Sequence, residues 1–239
     1  MSQPTDQPRN DARVHFPSNG DTASGYLAVP ESGSGPGVIL VQEWWGVDWG
    51  LIEIADRLAA DGFTVLVPDL YRGELAGHTE MDRAGELMTN MPPDRAARDM
   101  SGAVDFLAAS EHVSSTGLGV VGFCMGGMLA FYLAAARPDR IAAVVPFYGF
   151  PQGDQQPDYA AISAPIRGHM AEHDDFFGPG PAKQLEAHLK ELGKDVTFTV
   201  YPGSGHAFMA PHNALGTQDQ ELYALSWPQM VEFLNTQLV

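Results

Sequence analysis

The only cysteine of the chain lies in a glycine-rich segment, Gly122-Phe123-Cys124-Met125-Gly126-Gly127. The apolar run before this segment predicts a buried strand, and the apolar run after it predicts a buried helix that ends before Pro138. Cys124 therefore falls where a strand turns sharply into a helix, which is the setting of a nucleophile elbow with cysteine in place of serine. Flanking glycines leave room for a strained turn, and the helix N-terminus favours a thiolate. A lone cysteine is more often a small buried hydrophobe, but this context predicts a nucleophile.

A catalytic thiol needs a general base, and the base needs a group that orients it. In folds with a nucleophile elbow the order along the chain is nucleophile, acid, histidine. His206 follows a predicted strand inside Gly203-Ser204-Gly205-His206, and we expect it to be the base. Asp174, after an earlier predicted strand, is the expected acid, with Asp175 as a rival and Glu172 as a third candidate. The residues alone leave this choice open.

A carboxylate and two tryptophans follow the predicted strand 38–41, in the loop Glu43-Trp44-Trp45-Gly46. In this kind of fold the loop completes the oxyanion hole, so we expect the backbone N–H groups of Trp44 and Met125 to hold a developing oxyanion. Glu43 is placed to hold the thiol proton at rest, and the alternative is a loop salt bridge.

The segment His169-Met170-Ala171-Glu172-His173 matches a zinc-protease pattern in reverse order. That pattern requires a helix, on which both histidines share one face. Here strand-like residues precede the segment and a loop follows it, so we predict no metal site.

Short apolar runs alternate with amphipathic ones, which predicts an α/β fold with a mostly parallel central sheet and helices on both faces. The predicted strands are 24–29, 38–41, 63–67, 117–121, 141–145, 164–168 and 196–201. The predicted helices are 51–60, 81–87, one that opens at 92–94, 128–136, 181–192, and a last one from residue 218 that Pro228 interrupts. We expect a single domain over residues 1–239, with a flexible lead over 1–12 and a lid or pocket wall over 70–93.

Composition narrows the class of partner. The 239 residues include 30 acidic and 13 basic ones, for a net charge of −17. Such a surface repels nucleic acid and anionic membranes, so neither is an expected partner. The predicted catalytic residues instead make a small-molecule substrate the expected partner. One cysteine excludes an internal disulfide, and neither a signal peptide nor a membrane span is predicted. We expect a cytoplasmic monomer or small homo-oligomer.

The chain resembles the dienelactone hydrolase family, the cysteine branch of the α/β-hydrolase fold, from about residue 24 to the C-terminus. The resemblance rests on five segments in the same order: Gln42-Glu43-Trp44-Trp45-Gly46, Val67-Pro68-Asp69-Leu70-Tyr71, the Cys124 segment, the Asp174 loop and Gly205-His206-Ala207-Phe208.

The resemblance implies that Cys124 is the nucleophile, His206 the base and Asp174 the orienting acid, and it favours Asp174 over Asp175. It also implies that Glu43 holds the thiol until substrate arrives. The implied reaction is hydrolysis of an ester or enol-lactone through an acyl-thioester, without cofactor or metal.

The chain departs from the family at one point. Family members that open dienelactone carry an arginine shortly after the histidine, which clamps the substrate carboxylate, and residues 207–211 contain none. Arg83 or Arg72 in the lid is the remaining source of positive charge. The other expected contacts with substrate, from Trp44, Trp45, Phe208 and Met209, form an apolar wall and favour a less polar ester or lactone.

Two alternatives remain open on the sequence alone. One is an enzyme of the same fold that performs acyl transfer or thioester cleavage. The other is a non-catalytic relative that only binds a ligand, and such proteins usually lose a member of the triad.

Overall fold

A computed structural model describes residues 12–239, which form one eight-stranded sheet in the order β1-β2-β4-β3-β5-β6-β7-β8. The strands are β1 (Arg13–Ser18), β2 (Asp21–Ala28), β3 (Gly37–Val41), β4 (Thr64–Pro68), β5 (Leu118–Phe123), β6 (Ile141–Phe147), β7 (Ile166–His173) and β8 (Val196–Gly205). β1 and β2 are antiparallel, β2 pairs antiparallel with β4, and the remaining strands are parallel. The predicted α/β fold is therefore correct. The expected lead over 1–12 lies, except for Ala12, outside the described residues.

In this described part of the chain six α-helices cover the sheet: α1 (Trp49–Ala60), α2 (Met81–Asn90), α3 (Pro93–Ala108), α4 (Met125–Ala136), α5 (Pro179–Glu191) and α6 (Gln220–Gln237). Alternate residues of the central strands point to opposite faces. On one face Ile39 and Val120 join a core with α2, α3, α4 and α5. On the other face Val38 and Val121 join a core with α1 and α6. The prediction of helices on both faces is confirmed.

The sequence analysis missed the first strand. β1 forms a hairpin with β2 through Asn19 and Gly20, which both have positive φ (42° and 95°), as a two-residue hairpin loop requires. β1 is an edge strand in which half of the residues are exposed, so it lacks the apolar run by which the buried strands were recognised. The Asn-Gly pair is the signal that could have revealed it.

The predicted interruption of the last helix at Pro228 is wrong, because α6 continues through this residue. Proline removes one helical hydrogen bond, and the tertiary packing of the helix outweighs that loss. Trp227, Met230 and Leu234 are all buried against the sheet, and the Trp227 indole N–H donates to Asp61 at 2.6 Å.

The parallel strands bring their carboxyl ends to one edge of the sheet, which is where α/β folds bind ligands. Glu43 follows β3, Cys124 follows β5, Asp174 follows β7 and His206 follows β8. Within residues 12–239, no helix has both the length and the apolar character needed to cross a bilayer.

Candidate active site

Cys124 lies in a strained turn between β5 and α4. Its φ of 53° and ψ of −118° place it in a region that a residue with a side chain rarely adopts. The turn is held by the Cys124 N–H, which donates to the Phe147 carbonyl at 3.0 Å, and by the Cys124 carbonyl, which accepts from the Met128 N–H at 3.2 Å. Backbone strain of this kind persists only where the surroundings enforce it, and it concentrates at functional sites.

The glycines around Cys124 are a steric requirement of the turn. A Cβ on Gly122 would lie 2.1 Å from the Gly126 carbonyl oxygen, and one on Gly126 would lie 2.2 Å from the Val41 carbonyl oxygen. Gly149 from the neighbouring strand end would place a Cβ 1.9 Å from the Cys124 carbonyl oxygen. These contacts are with backbone atoms, which cannot move aside, so only glycine fits at each position.

His206 is held by Asp174. The Nδ1 nitrogen of His206 lies 2.8 Å from Oδ2 of Asp174, and both side chains are buried. The other carboxylate oxygen, Oδ1, accepts the backbone N–H groups of Phe176 and Phe177 at 2.9 and 2.8 Å. Because a carboxylate only accepts, Nδ1 of His206 carries the proton and Nε2 is left as the acceptor.

Asp175, the rival of Asp174 in the sequence, is exposed at the rim of the cavity. Glu172 accepts instead from the Gly203 N–H and pairs with the exposed His173. The structure thus brings only Asp174 of the three candidate acids into hydrogen-bond contact with His206.

Burial is the main factor that raises the pKa of the Cys124 thiol well above its ordinary value. The negative charge of Glu43 raises the pKa further, Asp174 adds to this effect, and a hydrogen bond from the Met125 N–H acts in the opposite direction. The thiol is therefore protonated in this state at neutral pH, and a nucleophilic thiolate requires removal of its proton.

Cys124 and His206 open into a cavity of about 570 Å³. Its walls also include Glu43, Trp44, Trp45, Met88, Met125, Met128, Gln152, Asp175, Phe176, Phe177, Ala207, His212 and Leu215. Most of these side chains are apolar or aromatic. Among the described residues that line this cavity none is lysine or arginine, and Glu43 and Asp175 contribute carboxyl groups.

The predicted wall residues divide into two groups. Trp44 and Trp45 line the cavity, and Met88 of α2 brings the predicted wall region 70–93 to it. Phe208 and Met209 do not line it, because both side chains are fully buried in the core beneath. Their apolar character at the sequence level did not distinguish a ligand wall from core packing.

Arg83 is not among the cavity-lining residues either. It is partly exposed on α2 and forms ion pairs with Glu74 and Glu86. Arg72, the other expected source of positive charge, pairs with Asp21 and the buried Asp99. Both arginines are thus engaged by carboxylates away from Cys124.

A group of side chains that the sequence analysis missed lies beside Glu43. Nε2 of His212 is 3.2 Å from Oε2 of Glu43, the rings of His212 and His78 stack with centroids 4.1 Å apart, and Nε2 of His78 is 2.5 Å from Oδ2 of Asp48. The one sequence signal for this group is that His212 lies six residues after His206.

The same group offers potential metal ligands. One ligand atom each from Asp48, His78 and His212 lies within 4.8 Å of the other two. The two imidazole planes are within 21° of parallel. A metal ion must lie near the plane of each ring that binds it, and two stacked rings do not share such a point. The arrangement therefore fits a hydrogen-bonded stack better than a tetrahedral metal centre.

An eight-stranded, mostly parallel sheet with a strained strand-to-helix turn at Cys124 and a histidine–aspartate pair at its carboxyl edge is the arrangement of the α/β-hydrolase fold. Residues 23–238 match the model of the dienelactone hydrolase family. The chain belongs to this family, and it is thus a hydrolase of the carboxylic ester and lactone class, as predicted.

Relatives agree with this assignment. The chain is 41% identical over 202 residues to "Protein usf" of Aquifex pyrophilus, covering 82% of this chain and 86% of that protein. It is 35% identical over 231 residues to a protein of Aquifex aeolicus (strain VF5) that is named as a candidate carboxymethylenebutenolidase, covering 94% and 98%. A dienelactone hydrolase-like promiscuous phosphotriesterase from metagenomic libraries shares the fold, with a TM-score of 0.80 at 21% identity over 95% of this chain and 98% of that one.

Proposed function

We propose that this enzyme hydrolyses uncharged carboxylic esters or lactones through a Cys124–His206–Asp174 triad and an acyl-thioester. The observation that carries the proposal is the 2.8 Å bond between Asp174 and Nδ1 of His206. This bond leaves Nε2 of His206 as a proton acceptor in the same cavity as Cys124. The second support is the strained backbone at Cys124, which presents its side chain at the start of α4.

In the proposed reaction Nε2 of His206 takes the proton of the Cys124 thiol, and the thiolate attacks the carbonyl carbon, forming a C–S bond while the C=O π electrons move to oxygen. Backbone N–H groups of Trp44 and Met125 receive the developing oxyanion, and Met125, as the first residue of α4, has an N–H with no partner inside its helix. The C–O bond then breaks, and protonated His206 gives its proton to the leaving alkoxide. Water activated by His206 hydrolyses the thioester and regenerates the thiol.

The cavity indicates the class of substrate. Carboxyl groups of Glu43 and Asp175 lie in its walls, and apolar and aromatic side chains supply most of the rest. An anionic substrate such as the carboxylate of dienelactone gains no ion pair from the described lining residues and meets like charge. An acyl group of moderate size without charge instead buries apolar surface against Trp44 and Phe176.

The test is hydrolysis of p-nitrophenyl acetate and butyrate, of an uncharged lactone and of dienelactone by the wild type, Cys124→Ala and Cys124→Ser. We expect the wild type to prefer the uncharged compounds and Cys124→Ala to lose turnover. Intact mass spectrometry of quenched reactions should show an acyl adduct on the wild type and none on Cys124→Ala. Equal turnover by wild type and Cys124→Ala would refute the assigned nucleophile. A preference for dienelactone would refute the substrate class.

The same experiment addresses the remaining alternatives. Product that appears only when an alcohol or thiol acceptor is added would identify an acyl transferase. A wild type that binds esters without turning them over would identify a binding protein. The cytoplasmic location expected from the sequence stays a prediction.

A further inference from the structure

One oxygen of the Glu43 carboxylate has a hydrogen-bond partner among the described residues, and the other has none. Its Oε2 oxygen lies 3.2 Å from Nε2 of His212, while its Oε1 oxygen is buried and has no hydrogen-bond partner within residues 12–239. A buried acceptor without a donor costs free energy. The carboxylate of Glu43 therefore keeps this orientation only if another contact holds it. Glu43 lines the same cavity as Cys124 and acts electrostatically on it. The Cys124 thiol is a hydrogen-bond donor in this same cavity, and no hydrogen bond joins it to Oε1 in this state.

A backbone hydrogen bond determines which ring nitrogen of His212 carries the proton. The Ala214 N–H donates to Nδ1 of His212 at 3.1 Å, so Nδ1 acts as an acceptor. In a neutral imidazole whose Nδ1 accepts, Nε2 carries the proton and donates to Oε2 of Glu43. A single backbone N–H therefore makes His212 a donor toward the carboxylate.

Aromatic rings hold His212 in place. Its side chain is only 3% exposed, it stacks on His78 at 4.1 Å, and the ring of Trp45 meets it edge-on at 6.0 Å. His78 is fixed in turn by its 2.5 Å contact with Asp48, whose other oxygen caps α1 through the Leu51 N–H. The charged and titratable groups that surround His212 are therefore Glu43, Asp48 and His78.

We propose that His212, buttressed by His78 and Asp48, is a positioning residue that holds Glu43 by one oxygen and leaves the other for the Cys124 thiol. This inference rests on the proposed function, because it assigns a task within the same hydrolysis. His212 itself does not exchange protons with the substrate. The effect of losing it is that Glu43 can turn away from Cys124.

The variants separate hydrogen bonding from packing. His212→Phe keeps the ring and its stacking on His78 but removes the donor to Glu43. His212→Gln restores an amide N–H close to the position of Nε2. His15→Phe is the matched control, since His15 is exposed on β1 at the far edge of the sheet. Each His212 change is also made in a Glu43→Gln background.

We expect His212→Phe to move the pH profile of iodoacetamide labelling of Cys124 to lower pH, toward the profile of Glu43→Gln, because a carboxylate that turns away no longer raises the pKa of the thiol. His212→Gln should return the profile to that of the wild type. In the Glu43→Gln background His212→Phe should leave the profile unmoved. His15→Phe should match the wild type.

Three results would overturn the inference. The first is an equal shift of the labelling profile from His212→Phe with and without Glu43, which would mark a purely structural role. The second is a wild-type labelling profile of His212→Phe while Cys124→Ala is inactive in ester hydrolysis, which leaves the proposed function standing. The third is one equivalent of zinc retained by the wild type after dialysis against chelator and absent from His212→Phe, because the same side chains would then be metal ligands. If Cys124→Ala is as active as the wild type, the proposed function fails and this role falls with it.

Discussion

The change Asp174→Asn tests whether Asp174 acts by fixing the tautomer of His206. The asparagine side chain has the same shape, and its oxygen can keep the two backbone hydrogen bonds from Phe176 and Phe177. Its NH2 group then faces Nδ1 of His206, which must accept rather than donate. The ring proton moves to Nε2, and this nitrogen can no longer take a proton from Cys124.

The size of the effect follows from the cost of restoring the active tautomer. Turning the amide around would place its oxygen toward His206 but leave the N–H groups of Phe176 and Phe177 without an acceptor. Each N–H left unsatisfied in this part-buried loop costs about 1–3 kcal/mol, so the active arrangement lies about 4 kcal/mol above the inactive one. That energy corresponds to about a 1000-fold loss of kcat/KM.

Compared with Asp174→Asn, the change Asp174→Ala should retain more activity and lose more stability. Alanine removes the carboxylate without forcing a tautomer, so the expected loss of kcat/KM is about 10- to 100-fold. Phe176 and Phe177 lose their acceptor, however, and the free energy of unfolding should fall by about 2–4 kcal/mol. Asp174→Asn should be close to wild type in stability.

The assay pairs kcat/KM for p-nitrophenyl acetate with urea unfolding for both variants, and Asp175→Asn serves as the control at the exposed neighbouring residue. Asp175→Asn should stay within about threefold of wild type, because it makes no contact with His206. The reasoning would be refuted if Asp174→Asn were more active than Asp174→Ala, or if Asp175→Asn showed the larger loss.

Three further predictions concern charge, packing and burial. Glu43→Gln should lower the pKa of Cys124, because it removes the negative charge that, next to burial, raises this pKa. The pH profile of iodoacetamide labelling should move to lower pH, and an unmoved profile would contradict the electrostatic effect of Glu43 on the thiol. Gly126→Ala should lower the free energy of unfolding by several kcal/mol in urea, because its Cβ would lie 2.2 Å from a carbonyl oxygen of β3. The control Gly85→Ala, which adds a Cβ in open space on α2, should instead raise the free energy of unfolding by about 0.5–1 kcal/mol. Burial lowers the pKa of His169 to about 3 from about 6.5 in the unfolded chain, so protons favour the unfolded state between these values. Stability should therefore fall as pH drops from 6.5 toward 3, by up to about 1.4 kcal/mol per pH unit from this residue, and His169→Phe should remove that part of the slope.

Much of the framework could be predicted because its causes are local in sequence. The apolar runs specify buried parallel strands, and the glycines around Cys124 specify a sharp strand-to-helix turn. The order of Cys124, Asp174 and His206 then follows from strand ends that share one edge of the sheet. The missed strand β1 shows the limit of this approach, because an exposed edge strand has no apolar run to mark it.

Some sequence signals were outweighed by packing. Pro228 predicts a break in the last helix, yet Trp227 and Met230 anchor both sides of it against the sheet. Phe208 and Met209 have the right composition for a ligand wall, but the direction of the chain after His206 buries them in the core. Arg83 has the charge for a substrate clamp, but α2 places it beside Glu74 and Glu86.

The sequence by itself determined the elbow, the nucleophile candidate and the strand ends that carry its partners, because these depend on residue type and near-neighbour spacing. Only the tertiary structure decided that Asp174 rather than Asp175 contacts His206, since adjacent side chains of one loop point in different directions. It alone revealed the contact of His212 with Glu43, whose positions differ by 169 in the sequence. Pairings at such a distance depend on how whole strands and loops pack, and no local pattern encodes them.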